Sequence, residues 1–272
     1  MDDLLKFSHR PELKNPVLVI GWTADAGKLG INITNYLVGE LGGDKFCQVD
    51  PVEFSPLNGT TIENDLIQFP YSQFYACPGK DVLILQSFAP TNEWYHFLSM
   101  VLDVAEMYHV REIFVVGGMI SLGAHTNPRS IMGTCNSIEI KRALDPYEVV
   151  GDLNYESPAG QKPTLNSFLL WAAQRRGVPA VSLWVPVPFY LVNVGDYLAQ
   201  KKIVDFLDRR FDLGLNTSGI EQELKRQSIK IADARNKLPE VDETINRLES
   251  NLKLSDEENQ KLLFAIDDYL KE

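Results

Sequence analysis

Apolar residues along the chain keep two rhythms. Short β-branched runs that stop at glycine alternate with segments in which apolar positions recur every three or four residues. The first such pair is Pro16 to Leu41. Val17 to Ile20 is a continuous apolar run, the pattern of a strand covered on both faces, and it stops at Gly21. From Lys28 onward, Leu29, Ile33, Tyr36, Leu37 and Leu41 share one helical face. The pattern predicts strand, glycine turn and helix, with Gly42-Gly43 ending the helix. Phe46 to Phe54 is a second strand candidate, interrupted at Asp50-Pro51, and Asn58-Gly59 marks a turn. Ile62 to Ala76 carries Phe69, Tyr71, Phe74 and Tyr75 around Pro70, which predicts extended strands at a sheet edge.

Further along, Asp81 to Phe88 reads as a buried strand, and Glu93 to His109 as an amphipathic helix with Trp94, Phe97, Leu98, Val101, Leu102 and Ala105 on one face. Glu112 to Val116 is a strand closed by Gly117-Gly118. Then come a loop (Ser121 to Asn127), a short strand at Arg129 to Met132, a short helix at Glu139 to Leu144 and a loop at Tyr155 to Lys162. A helix (Thr164 to Arg176), a last core strand (Val178 to Val187) and a helix (Asp196 to Arg210) follow. Repetition of strand–helix–strand with glycine after the strand predicts a three-layer α/β/α domain with a mainly parallel sheet. In such a fold, ligands or partners meet the chain at the carboxyl ends of strands.

From Ser218 the composition turns charged and poor in aromatics, in three helical stretches around Ile220 to Lys237, Pro239 to Leu252 and Asp256 to Leu270. Pro239 opens one helix from its first turn, and Ser255-Asp256 with Glu258 beyond caps another. Val241, Ile245, Leu248 and Leu252 form a narrow apolar seam suited to one neighbouring helix. The expected organisation is an α/β domain over 1–217 and a helical extension over 218–272, with Met1 to Asn15 a polar docked arm.

At 272 residues, 44% hydrophobic and 23% charged, the chain has the composition of a soluble globular protein. A formal net charge of -11 argues against a nucleic-acid partner and an anionic membrane, since both recruit clustered Lys and Arg. No apolar run approaches the roughly 20 residues that span a bilayer, and the amino terminus begins acidic, without the apolar core of a signal peptide. A cytoplasmic location is expected. Cys47, Cys77 and Cys135 are widely separated and lack a CxxC pair, so reduced structural thiols and no metal are expected.

The glycine turn invites a nucleotide reading, which its spacing refuses. Five residues separate Gly21 from Gly27 where a P-loop needs four, and Lys28 is followed by Leu29 where magnesium needs a hydroxyl. A dinucleotide fingerprint fails too, and Asp25 would set a negative charge beside a phosphate. No cofactor is assigned; Gly21, Gly27 and Gly30 read as packing glycines and Asp25 as a helix cap. Of the four histidines, only His125 sits in a glycine-flanked loop after a strand. Ser121 lacks the glycine two residues before it that a nucleophile elbow requires, since Met119 stands there. Asp25, His125 and Glu156 can still converge at the strand ends, where α/β proteins keep functional groups. The candidate cleft or ligand-binding set is Gly21, Asp25, Gly27, Gly30, His125, Thr126, Tyr155, Glu156, Gly160, Pro188 and Tyr190, with no residue assigned as catalytic and none as a metal ligand.

Four segments in order, GWTADAGKLG, GAHTNPRSIMGT, YESPAG and VPVPFYL, resemble the PAC2 family of proteasome-assembly-chaperone-like proteins over about Pro16 to Asp212, and bacterial and archaeal members often carry a helical tail of this kind. The resemblance implies a three-layer α/β/α fold similar to the purine nucleoside phosphorylase and hydrolase group, homo-oligomeric assembly and no established reaction. It also implies that members with known roles are chaperones of proteasome assembly. Where many relatives have HTRP and PHY, this chain has His125-Thr126-Asn127-Pro128 and Pro188-Phe189-Tyr190, so an arginine and a histidine of those loops are lost. Some proteasome-binding chaperones end in a hydrophobic residue, a tyrosine and one last residue; here Tyr269 stands three places from the end, and no tail-dependent proteasome docking is expected. Two functions stay open: a non-catalytic, oligomeric assembly or interaction protein that binds itself and another protein, or a small-molecule hydrolase or nucleoside-type enzyme using the strand-end cleft.

Overall fold

The computed structural model describes residues 3–54, 61–63, 65–151, 154, 156, 158 and 160–271. In chain order its elements are β1 (Leu5–Phe7), β2 (Val17–Trp22), α1 (Leu29–Glu40), β3 (Asp44–Val49), β4 (Thr61–Glu63), β5 (Leu66–Gln68), β6 (Ser72–Cys77), β7 (Val82–Ser87) and α2 (Trp94–Met107). They continue as β8 (Glu112–Ser121), β9 (Met132–Cys135), α3 (Ile138–Leu144), α4 (Leu165–Arg175), β10 (Ala180–Pro188), α5 (Tyr197–Phe211), α6 (Ser218–Lys237), α7 (Pro239–Glu249) and α8 (Asp256–Lys271). Eight strands make one sheet in the order β1-β3-β6-β7-β2-β8-β10-β9, and β4 and β5 make a separate two-stranded sheet.

The α/β class stands, but the sheet is mixed, not mainly parallel. β2 runs parallel to both β7 and β8, whereas β1–β3, β3–β6 and β6–β7 are antiparallel. The cause is local. β6 and β7 are joined by the single 3-10 turn Pro78–Lys80, with Asp81 left-handed at φ 55°, and a link that short can only fold the chain back as a hairpin. The aromatic segment was expected at a sheet edge; instead β6 lies between β3 and β7 with Phe74 fully buried, and it is Phe69 and Tyr71, ahead of that strand, that are exposed. The expected turn at Asn58-Gly59 lies outside the described residues. β8 runs on through its glycine pair to Ser121, and the strand expected at Arg129 begins at Met132.

Backbone contacts divide the chain into two compact units, Met1–Ala24 with Gly30–Val116 and Met132–Leu183, and Asp25–Leu29 with Gly117–Ile131 and Trp184–Glu272. In the first, Leu18, Ile20, Leu83 and Leu85 of the parallel strands join Phe46, Phe74, Phe97 and Tyr108 in one apolar core. The face foreseen for α2 is buried at Phe97, Leu98, Val101, Leu102 and Ala105. Each such side chain taken from water contributes about 1.5–3 kcal/mol when large. In the second unit, α5 buries Ile203, Val204, Phe206 and Leu207, and α6, α7 and α8 pack on one another. The α7 seam is buried at Val241, Ile245 and Leu248, while Leu252 is exposed. Ser255 and Glu258 cap α8 reciprocally: the Ser255 amide donates to Glu258 Oε2 at 2.7 Å and the Glu258 amide to Ser255 Oγ at 3.3 Å.

Candidate functional site

In the first unit, Gly21 and Gly30 meet. A Cβ added to Gly21 would lie 2.3 Å from the Gly30 carbonyl oxygen, and one added to Gly30 would lie 2.8 Å from the Val116 carbonyl oxygen. The turn after β2 is therefore glycine because α1 rests its backbone on the strands. Glu156 and Gly160 are exposed, Gly160 left-handed at φ 83° with open space around it, and Tyr155 lies outside the described residues.

The second unit gathers the other candidates. Asp25 starts a 3-10 turn without capping it through its side chain; its carboxylate Oδ2 instead accepts the Gly118 amide at 2.7 Å. Gly27 is left-handed at φ 70°, and a Cβ there would press on Val187 Cγ1 at 3.3 Å. At Gly118 a Cβ would lie 2.2 Å from the Ala26 carbonyl oxygen. These close approaches account for the glycines on both sides of Asp25.

Pro188 ends β10 and turns the chain into the 3-10 segment Phe189–Leu191, which buries Tyr190 completely. The Tyr190 oxygen accepts the His125 amide at 2.7 Å and lies 2.8 Å from His125 Nδ1. The phenol hydroxyl and Nδ1 share one hydrogen bond, in which the imidazole tautomer sets the donor. Burial pushes the His125 pKa below its ordinary value, with the Arg129 and Arg235 charges acting in the same sense. Burial pushes the Tyr190 phenol upward, so it stays protonated.

Arg129 is the residue that sequence reasoning missed. Its side chain is 5% exposed and paired to Asp196, itself 1% exposed, and it also donates to the Pro186 and His125 carbonyl oxygens. Asp196 in turn caps α5, accepting the Ala199 amide at 3.0 Å. The loop thus holds an arginine beyond the expected HTNP segment, turned inward and neutralised. Thr126 donates to Glu249 Oε1 at 2.8 Å, and Glu249 is held by Arg235 at 2.9 Å, so α6 and α7 fasten the loop. α8 packs against the turn that carries Tyr190. Ser121 Oγ accepts the Gly123 amide at 3.1 Å, which makes it a turn residue with its oxygen engaged locally.

Among the described residues no group of three His, Cys, Asp or Glu side chains is placed to hold a metal ion. Cys47 and Cys77 are free and buried, their pKa values pushed up by burial to about 12 and about 11, which makes them poor nucleophiles. No helix among the described residues is long and apolar enough to cross a membrane.

A mixed α/β fold whose strand-end side chains are bound by the chain's own loops and helices defines the class of protein. The chain belongs to the PAC2 family, whose model matches residues 18–234. A comparison with curated proteins gave no match. Among solved structures, the proteasome-assembly chaperone homologue of Mycobacterium tuberculosis is similar with a TM-score of 0.68 at 19% identity, covering 80% of this chain and 94% of that one. PbaB of Pyrococcus furiosus, an archaeal proteasome activator, is similar with a TM-score of 0.67 at 18% identity, covering 85% and 98%. A protein of unknown function from Corynebacterium glutamicum reaches a TM-score of 0.76 at 17% identity, covering 92% and 97%.

Proposed function

We propose that this chain is a non-catalytic, homo-oligomeric interaction protein of the PAC2 family, chaperone-like in that it works by contact with other protein subunits, and cytoplasmic. The observation that carries the reading is the state of the strand-end groups in the second unit: Asp25 is engaged by Gly118, His125 by Tyr190, Arg129 by Asp196 and Thr126 by Glu249. A general base needs a free lone pair facing substrate, and an anion site needs an uncompensated cation. Here His125 Nδ1 is taken up by the Tyr190 hydroxyl whichever of the two donates, and the guanidinium is already paired with a buried carboxylate. The buried Gly27, Pro188 and Tyr190 then hold Asp25, His125 and Thr126 rigidly at the strand ends, and the likeness to an assembly-chaperone homologue and a proteasome activator supports protein subunits as what that end of the sheet contacts. The reading is favoured over a nucleoside or ester hydrolase on the same geometry.

The test is turnover of nucleosides, carboxylic esters and ATP with magnesium by the purified wild type, Asp25→Asn and His125→Gln. The expected result is no turnover that depends on either residue. Turnover by the wild type that disappears in a variant of unchanged circular dichroism would overturn the reading.

A further inference from the structure

β9 is the last strand of the main sheet, and along it, within the first unit, lies a cavity of about 550 Å³. Its walls are β9, one side of α3 and the segment that returns through Val149 to Gly151. The chain leaves β9 at Ser137, whose hydroxyl oxygen accepts the Ile140 amide at 3.4 Å and starts α3. The return segment is pinned at the start of the strand, where Val150 bridges Met132 and its carbonyl oxygen accepts the Gly133 amide at 3.0 Å. Gly133 is glycine because a Cβ there would lie 2.8 Å from Val149 Cγ1. Ile138, Lys141 and Leu144 recur three apart, and Asp145 keeps helical angles (φ -50°, ψ -40°), so these side chains share one side of α3. Leu144 is buried and gives the cavity an apolar floor beside Val149, while Lys141 and Asp145 stand exposed above it. Lys141 Nζ lies 4.0 Å from where a Cβ on Gly151 would sit, and its charge acts on Cys135: burial raises the thiol pKa and the ammonium pulls it the other way. The lysine therefore reaches along the cavity between β9 and the return segment.

We propose that this cavity binds a free amino acid with an apolar side chain, its carboxylate on Lys141, its ammonium on Asp145 and its side chain against Leu144 and Val149. The volume is that of a small-molecule pocket, and an apolar lining with a few placed polar groups is the usual make-up of one. Opposite charges one helical turn apart suit a molecule that carries both charges close together. Lys141 has a contact within the chain already, and an ammonium with three donors keeps others for a carboxylate. A ligand with a single charge would desolvate the second group of the pair without compensating it, which costs affinity. That cost separates an amino acid from a plain carboxylate or amine of the same shape. The site stands independently of the protein-contact reading above, whose residues lie in the second unit.

The experiment follows the reaction of Cys135, which lines the cavity, with N-ethylmaleimide in the full chain, read peptide by peptide by mass spectrometry so that the buried Cys47 and Cys77 are counted separately. The probes are L-leucine, and isocaproate and isoamylamine, which keep its apolar part with one charge each. At about 10 mM, about ten times a dissociation constant of about 1 mM, leucine should slow the labelling about tenfold and each analogue less than about twofold. In Lys141→Met and Asp145→Asn, each measured against its own rate without leucine and with unchanged circular dichroism, the slowing should fall below about twofold. Leucine that leaves the wild-type rate unchanged, an analogue that protects as well as leucine, or protection that survives both substitutions overturns the proposal. Should a variant misfold, the comparison of the three probes on the wild type decides alone.

Discussion

The carbonyl oxygen of Gly30 lies 2.3 Å from where a Cβ on Gly21 would sit, so strand β2 and helix α1 touch backbone to backbone. Gly21→Ala should therefore cost about 3 kcal/mol or more, the upper range of overpacking, because the opposing atoms are backbone and cannot rotate away. Gly39, inside the same helix, has nothing within 4 Å of its added Cβ, and Gly39→Ala should stabilise by about 0.5–1 kcal/mol. Urea unfolding of the two variants checks the contrast.

Arg129 and Asp196 test what a buried pair is worth when broken. Arg129→Met should cost about 3–5 kcal/mol, because it leaves the Asp196 carboxylate buried and uncompensated. Adding Asp196→Asn removes that charge while leaving a side-chain oxygen to accept the Ala199 amide, so the double variant should be more stable than Arg129→Met alone. A double-mutant cycle by chemical denaturation measures the coupling; simple additivity would contradict the pairing.

Much of this was legible in the chain and some of it could not be. Val17 to Ile20, the α2 face and the Ser255–Glu258 cap are local patterns, and each forms where its spacing places it. Strand direction is not local: the antiparallel return of β6 depends on the length of the link at Pro78–Lys80, which a count of apolar residues does not weigh. The site partners lay further out of reach. Arg129 and Asp196 are 67 positions apart, and Thr126 and Glu249 are 123 apart, so each reads alone as an ordinary loop, cap or surface residue. The one available signal for Arg129 was a cation beside an otherwise uncharged loop.

His125 should give the protein a mild acid sensitivity. Its folded pKa is depressed below 6.5, chiefly by burial, so the unfolded chain takes up the proton first as pH falls. Stability should be level above that value and decline as pH drops through 6.5 toward the folded pKa. Groups facing the ring include Tyr190, Arg129, Arg235, Glu249 and Asp196, and the two carboxylates oppose the shift without reversing it. His125→Gln should flatten this part of the curve. Melting temperatures between about pH 5.5 and about 8 would show it; an unchanged slope would count against the assignment.

Tyr269 is held within its own unit. Its hydroxyl bonds to Asp233, the Lys237 ammonium sits 5.7 Å from its ring centre, and Lys230 donates to the Leu270 carbonyl oxygen at 3.2 Å. Ending the chain after Asp268 should lower the melting temperature while leaving any retention on a proteasome core particle unchanged. Pull-downs with intact and shortened protein decide this: retention lost at an unchanged melting temperature would contradict it.

The central claim is that this PAC2 protein acts through protein contact, beginning with its own copies. The measurement closest to it is the mass of the purified wild type by multi-angle light scattering across the micromolar range. A stable multiple of 30.7 kDa is the predicted result, and a monomer throughout the range would contradict the account.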